Sequence, residues 1–221
     1  MNLYQLHSNP ESLYKYGEAP YRVPSMAYAL AVHRYRKTGQ RDPELERAIA
    51  QDPRWAYEYA DNVVKGRWPK AERVIAQDPE LAYWYALHVI EGRWPEAEPV
   101  IAQDPYSAYD YTAYILKRRW LEAEPAIATS SGSAYQYARW VLNSRWPQAE
   151  PVIVTDPYFA YEYARSVIKG RWPEAEPVIA KHPESAWTYA LHVIKGRWPE
   201  AENAIRKNPD LWRTYKKRFE I

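Results

Sequence analysis

The chain has 221 residues, 47% hydrophobic and 26% charged, with a net charge of +2. That composition belongs to a globular protein rather than a disordered or membrane-embedded one, and its near-neutrality disfavours a nucleic-acid binder that works by bulk charge. With no cysteine, disulfides and thiol catalysis are excluded, which fits a reducing cytosol.

At the N-terminus, "MNLYQLHSNPESLYKYGEAP" has no apolar core of signal-peptide length, and no later stretch approaches a membrane span. The expectation is a cytoplasmic protein with no membrane partner. Within residues 1–42, "NPESLYKYG" is a degraded echo of a motif that recurs downstream, and "SMAYALAVHRYRKTGQ" reads as a longer helix. This segment is expected to be an N-terminal helical cap.

From there the sequence repeats. Trp68, Trp94, Trp120, Trp146, Trp172 and Trp198 follow one another at intervals of 26 residues without an insertion. Each repeat runs from an acid and proline through a small-aromatic segment to "VIKG", then "RWPEAEPVIA". The pattern predicts two short helices. In the repeat that starts at Asp78, that residue is an N-cap, Pro79 suits the first helical position and Glu80 favours the positive helix end. Gly92 is expected to end the helix in the left-handed conformation. Ala82, Tyr83, Tyr85, Ala86, Val89 and Ile90 share one arc at helical spacing, whereas Trp84, Leu87, His88 and Glu91 face the other way. A second helix is expected from Trp94-Pro95, burying Ala97, Val100 and Ile101, with Pro99 removing one hydrogen bond.

Helix pairs this short cannot bury an apolar face unless they stack. The fold is therefore expected to be all-α, an α-solenoid of six helix-turn-helix repeats with helical caps. The array occupies 43–207, and 208–221 form a charged C-terminal capping helix, the whole making one continuous solenoid domain. Glu72, Glu98, Glu124, Glu150, Glu176 and Glu202 each follow an arginine by five residues, a ladder of ion pairs or caps. Arg118 and Ser144 stand where other repeats have glycine, and "TSSGSA" replaces the Asp-Pro start near residue 130. These exceptions, with a flexible "SSGS", read either as a middle tuned for a partner or as one that has drifted, the first being favoured.

The "AxxYA" helix followed by an "xxxAE" helix and "DP" resembles a tetratricopeptide unit shortened from about 34 residues. More closely, "AYEYARSVIKGRWPEAEPVIAKHP" (160–183) resembles the short helical repeats in arrays encoded by large tailed bacteriophages. The phage resemblance implies an accessory protein acting in a bacterial host's cytoplasm, with inhibition or redirection of a host protein as the expected role. The tetratricopeptide resemblance implies protein binding along the first helices.

No Gly-rich phosphate loop, HExxH or nucleophile with a matched base occurs in the sequence. A carboxylate needed identically in six repeats reads as structure, so no enzyme activity, cofactor or metal is expected. His88 and His192 hold the same repeat position four repeats apart, on the order of 30–40 Å if helix layers lie about 8–10 Å apart, too far for one metal site. His182 reads as a variant cap, and Lys216 to Arg218 as a solvated face.

Packing demands the same residue in every repeat and a partner does not, so the variable positions of the first helices are the candidate site. Trp84, Leu87 and His88, then Asp110, Tyr114 and Lys117, then Gln136, Arg139 and Trp140 are singled out there, with Trp84, Tyr114 and Trp140 either exposed aromatic anchors or rings folded back onto neighbouring repeats. Charges on this strip sum to −2 over the first three repeats and +3 over the last three. A non-enzymatic scaffold that binds a protein or peptide is the first reading. An RNA-binding repeat protein, or a pocket for a small nucleotide-like ligand, are the alternatives.

Overall fold

A computed structural model describes Gly17 and residues 19–221; residues 9–16 of the "NPESLYKYG" echo lie outside the described residues. In chain order the α-helices are α1 (Pro24–Thr38), α2 (Pro43–Ile49), α3 (Pro53–Tyr59), α4 (Pro69–Ile75), α5 (Pro79–Tyr85), α6 (Glu98–Ile101), α7 (Pro105–Asp110), α8 (Glu124–Ile127), α9 (Ser131–Tyr137), α10 (Glu150–Ile153), α11 (Pro157–Tyr163), α12 (Glu176–Ile179), α13 (Pro183–Tyr189), α14 (Pro199–Ile205) and α15 (Pro209–Phe219). No strand occurs among the described residues. Odd-numbered helices from α3 to α13 open the repeats and even-numbered ones from α4 to α14 close them. The fold is an α-solenoid with a repeat of 26 residues.

Two bodies divide the chain, Met1–Ile115 and Leu116–Ile221. In the first, α1 packs on α3, α3 on α5 and α5 on α7; in the second, α9 packs on α11, α11 on α13 and α13 on α15. Alanines such as Ala82, Ala108, Ala134 and Ala160 are fully buried at these contacts, since a methyl group is all that the approach of two short helices leaves room for.

Capping follows the sequence. Asp52, Asp78, Asp104 and Asp156 accept hydrogen bonds from the backbone N–H three residues on, at 2.8–3.1 Å, with proline at the first helical position. His182 occupies the same backbone position without such a bond; its ring lies 3.2 Å from the Ser185 hydroxyl. It is a cap by position only.

The ends of the first helices differ from the sequence expectation. Each α-helix passes into a π-helical turn, as at Ala60–Val64 and Ala138–Leu142. The left-handed residue is Lys65, Glu91, Lys117, Asn143, Lys169 or Lys195, the residue before the glycine position. Gly92 has an ordinary φ, and a methyl group in place of its hydrogen would meet open space. Arg118 and Ser144 therefore replace nothing that needed glycine. Both Glu91 and Gly92 N–H groups reach the Ala86 carbonyl, which satisfies the backbone at the turn. A left-handed non-glycine residue costs on the order of 1 kcal/mol, and its recurrence in six repeats marks it as architecture.

Proline sets the length of the second helix. Where the repeat carries Pro99, Pro125, Pro151 or Pro177, only four residues are α-helical; α4 and α14, with Arg73 and Asn203 there, run for seven. The missing proline N–H leaves the preceding turn without its i→i−4 bond, so the helix begins at Glu98 rather than at Trp94-Pro95. Ala97 and Ile101 are buried as expected, and Val100 is half-buried.

The "SSGS" stretch is likewise not a flexible loop. Ser131–Tyr137 is helical, capped by the Ser130 hydroxyl. Gly132 is buried, and a Cβ there would lie 3.0 Å from Cζ of Phe159. A large ring in one repeat is accommodated by a missing side chain in the one before it.

The predicted glutamate ladder is a network that crosses repeats. Arg145 donates to both oxygens of Glu150 at 2.8 Å. The Tyr163 hydroxyl donates to Glu150 Oε1 at 2.9 Å and accepts the Trp146 backbone N–H at 2.7 Å. Tyr163 belongs to the following repeat, where its ring tilts against Trp172 with centroids 5.1 Å apart. The same set joins Arg67, Glu72, Trp68 and Tyr85 in the first body, and Arg171, Glu176, Trp172 and Tyr189 in the second. Its first form is Arg41, Glu46 and Tyr59.

The geometry of this link makes two predictions. Tyr163→Phe strips the buried Trp146 N–H of its acceptor and is expected to cost about 1–3 kcal/mol in denaturant unfolding. Arg145→Ala removes a side chain that is 52% exposed and is expected to cost only about 0–1 kcal/mol; equal losses would contradict the central role of the phenol. The second concerns pH. Hydrogen bonds from Arg145 first, and from Tyr163, hold the Glu150 carboxyl below its usual range. That stabilisation is present above about pH 4.3, the ordinary glutamate value, and is lost as pH falls through the lower folded value. Burial pushes the Tyr137 phenol up to about 12, so its contribution is present below about pH 10 and is lost as pH rises towards 12. Melting temperature should thus plateau between these limits, and Glu150→Gln should make the acid limb shallower.

Candidate functional site

The singled-out residues fall in both bodies: Trp84, Leu87, His88, Asp110 and Tyr114 in the first, Lys117, Gln136, Arg139 and Trp140 in the second. Tyr114 is 58% exposed and Trp140 65%, as the helical arc predicts. Trp84 and Leu87 are half-buried instead. The π-helical turn adds a residue to the last turn, so Leu87 swings inward while Val89 and Ile90 are only half-buried. Trp84 lies flat on His88, with centroids 5.3 Å apart and planes 7° from parallel, and tilts against Tyr83 at 4.9 Å. It is a wall rather than a free anchor.

That wall is shared by two grooves of the first body. One, of about 420 Å³, lies between α5 and α7 and is lined by Asp78, Glu80, Tyr83, Trp84, Asp104, Tyr106 and Asp110. The other, of about 690 Å³, lies between α3 and α5 and includes Arg54, Tyr57, Glu58, Asp78, Glu80, Trp84 and His88. Burial, then the charge of Asp104, raises the Asp110 carboxyl. Burial, then Asp110 and Tyr114, pushes the Tyr83 phenol up to about 12, and burial with Asp61 and Glu58 does the same to Tyr57. These phenols therefore remain hydrogen-bond donors at neutral pH. Tyr106, 65% exposed, was not among the predicted residues. Its signal lies in the variability of the equivalent positions, Arg54, Glu80, Gly132, Tyr158 and Glu184, of which Tyr158 is also exposed, 56%.

The second body carries a groove of about 460 Å³ lined by Ala138, Arg139, Trp140, Asn143, Ser166, Val167 and Lys169. The Arg139 guanidinium lies 4.5 Å above the Trp140 ring, a cation–π contact. Asn143 and Lys169 are the left-handed residues at the ends of two successive π turns, and both join the groove lining there. Ser166 is fixed by donating to the Glu162 carbonyl at 2.6 Å, with its oxygen 3.3 Å from the Tyr135 hydroxyl. Glu162 is itself paired with Arg165 at 2.8 Å. Gln136 is half-buried one turn before Trp140, and Lys117 is exposed in a left-handed turn of its own.

Comparison with protein-family models, with curated proteins and with solved structures returned no match. Among the described residues no group of three or more His, Cys, Asp or Glu could hold a metal ion, and no helix is long and apolar enough to cross a membrane. His88 and His192 are both exposed.

Exposure of the rings is directly measurable. Most indoles here are buried, Trp94, Trp146 and Trp172 being 2–3% exposed. Trp140→Phe should remove the largest share of acrylamide-quenchable tryptophan fluorescence, whereas Trp94→Phe should leave that share unchanged.

Proposed function

We propose that the chain is a non-enzymatic interaction scaffold that binds a protein or peptide on the variable surfaces of its first helices. The observation that carries this reading is the exposure of Tyr114 and Trp140, 58% and 65%, the latter lining a groove, in repeats whose invariant Tyr and Trp are buried. Solvated aromatic rings next to arginine are favoured anchors of protein interfaces. A bacterial host protein is the partner class favoured by the resemblance to phage repeat arrays. The acidic linings of the first body's grooves disfavour the RNA reading, because a phosphate backbone needs basic contacts along its length.

The test compares native protein with a Tyr114→Ala, Trp140→Ala variant of unchanged circular dichroism, each used to capture partners from nuclease-treated bacterial lysate. A partner retained by the native chain is expected to bind the variant at least about tenfold more weakly, as for the loss of anchor rings. Retention of the same proteins by both would overturn the reading.

A further inference from the structure

We infer that the groove between the π turns Ala138–Leu142 and Ala164–Ile168 docks an acidic peptide segment, whose carboxylates meet Arg139 and Lys169 while an apolar side chain rests on Trp140. This rests on the scaffold reading and names the chemistry of its partner.

Three observations converge on it. First, no carboxylate lines the groove, and among the described residues neither Arg139 nor Lys169 has a salt-bridge partner, in contrast to Arg145, Arg165 and Arg171 of the same body, which are paired at 2.7–2.8 Å. Glu162, four residues before Ser166 of the lining, is held by Arg165 and by the Tyr135 hydroxyl at 3.3 Å. Two such cations lining one concavity leave a positive potential that an anionic partner neutralises. Second, the exposed Trp140 ring lines the same concavity, so apolar and charged contacts lie side by side as they do along a peptide. Third, the Asn143 amide adds a donor and an acceptor, and the Ser166 hydroxyl oxygen an acceptor, suited to a peptide backbone.

A peptide fits better than a nucleic acid. The groove sits at the C-terminal ends of two helical segments, where backbone carbonyls carry partial negative charge. A singly charged carboxylate paired with one cation tolerates that field better than phosphates at polymer spacing, which need a longer basic track.

The probe is a fluorescein-labelled peptide alternating glutamate with leucine and phenylalanine, titrated into the full chain at low salt and followed by anisotropy. The controls are the same peptide with glutamine for glutamate, and labelled oligouridylate. Saturable binding of the glutamate peptide is expected, weakened about tenfold or more by Arg139→Glu with Lys169→Glu, and also by Trp140→Ala, but unchanged by Lys207→Glu. Arg139→Gln, a milder change, should give an intermediate loss. Absence of saturable binding, equal binding of the glutamine peptide, equal losses with Lys207→Glu, or tighter binding of oligouridylate would each overturn the inference. A lysate partner that is lost with Trp140→Ala yet kept by the charge-reversed variant would overturn the acidic assignment while leaving the scaffold reading intact.

Discussion

The hydroxyl of one buried tyrosine per repeat governs the fold. It accepts a backbone N–H from the preceding repeat, as from Trp146 to Tyr163 at 2.7 Å, and donates to that repeat's glutamate at 2.9 Å. Helices of four to seven residues cannot hold themselves in water, and burial of alanines alone would let neighbouring pairs slide. The phenol fixes their register because it satisfies a donor that would otherwise be orphaned in the core. Arginine closes the outer side of the glutamate, where water screens the pair and its direct contribution is small. Its greater service is to keep the carboxylate charged and oriented towards the phenol.

This frame explains why the surfaces of the first helices are free to vary. Tyr, Trp, Ala and Ile are committed to the interior, so substitutions outside those positions are absorbed without disturbing the link. Not every exception is functional, however. Gly132 departs from the repeat only to admit the ring of Phe159, which is a packing compensation between neighbours. Among the described residues, Arg139 and Lys169 have no salt-bridge partner; Arg139 lies over the Trp140 ring instead, so neither charge is neutralised by a neighbouring carboxylate.

Much of the architecture was legible in the sequence: the interval between tryptophans, the Asp-Pro starts, the buried Tyr and Trp, and the Arg–Glu spacing. The π-helical turns were not, because reading apolar positions at 3.6 residues per turn assumes the geometry it is used to find. From that one assumption came the misplacement of Leu87 and the inward place expected of Val89 and Ile90, whereas the left-handed role given to Gly92 instead of Glu91 came from glycine's usual preference for helix ends. Trp84 was misread for another reason: a stack on His88 four residues away is compatible with an outward position, and no pattern distinguishes the two. Trp140 and Tyr114 were legible since their place on the outward helical arc matches their exposure.

The link also has a fixed stride. Its partners lie 5, 13 and 17 residues apart along the chain, so adding or removing a few residues inside a repeat pulls the phenol away from both its donor and its acceptor at once. Whole repeats can be duplicated or deleted while every remaining stride is preserved. The length of such a chain is thus quantised: it grows by gene segments of one repeat, and each new copy arrives with its interior already correct and its outer residues open to selection.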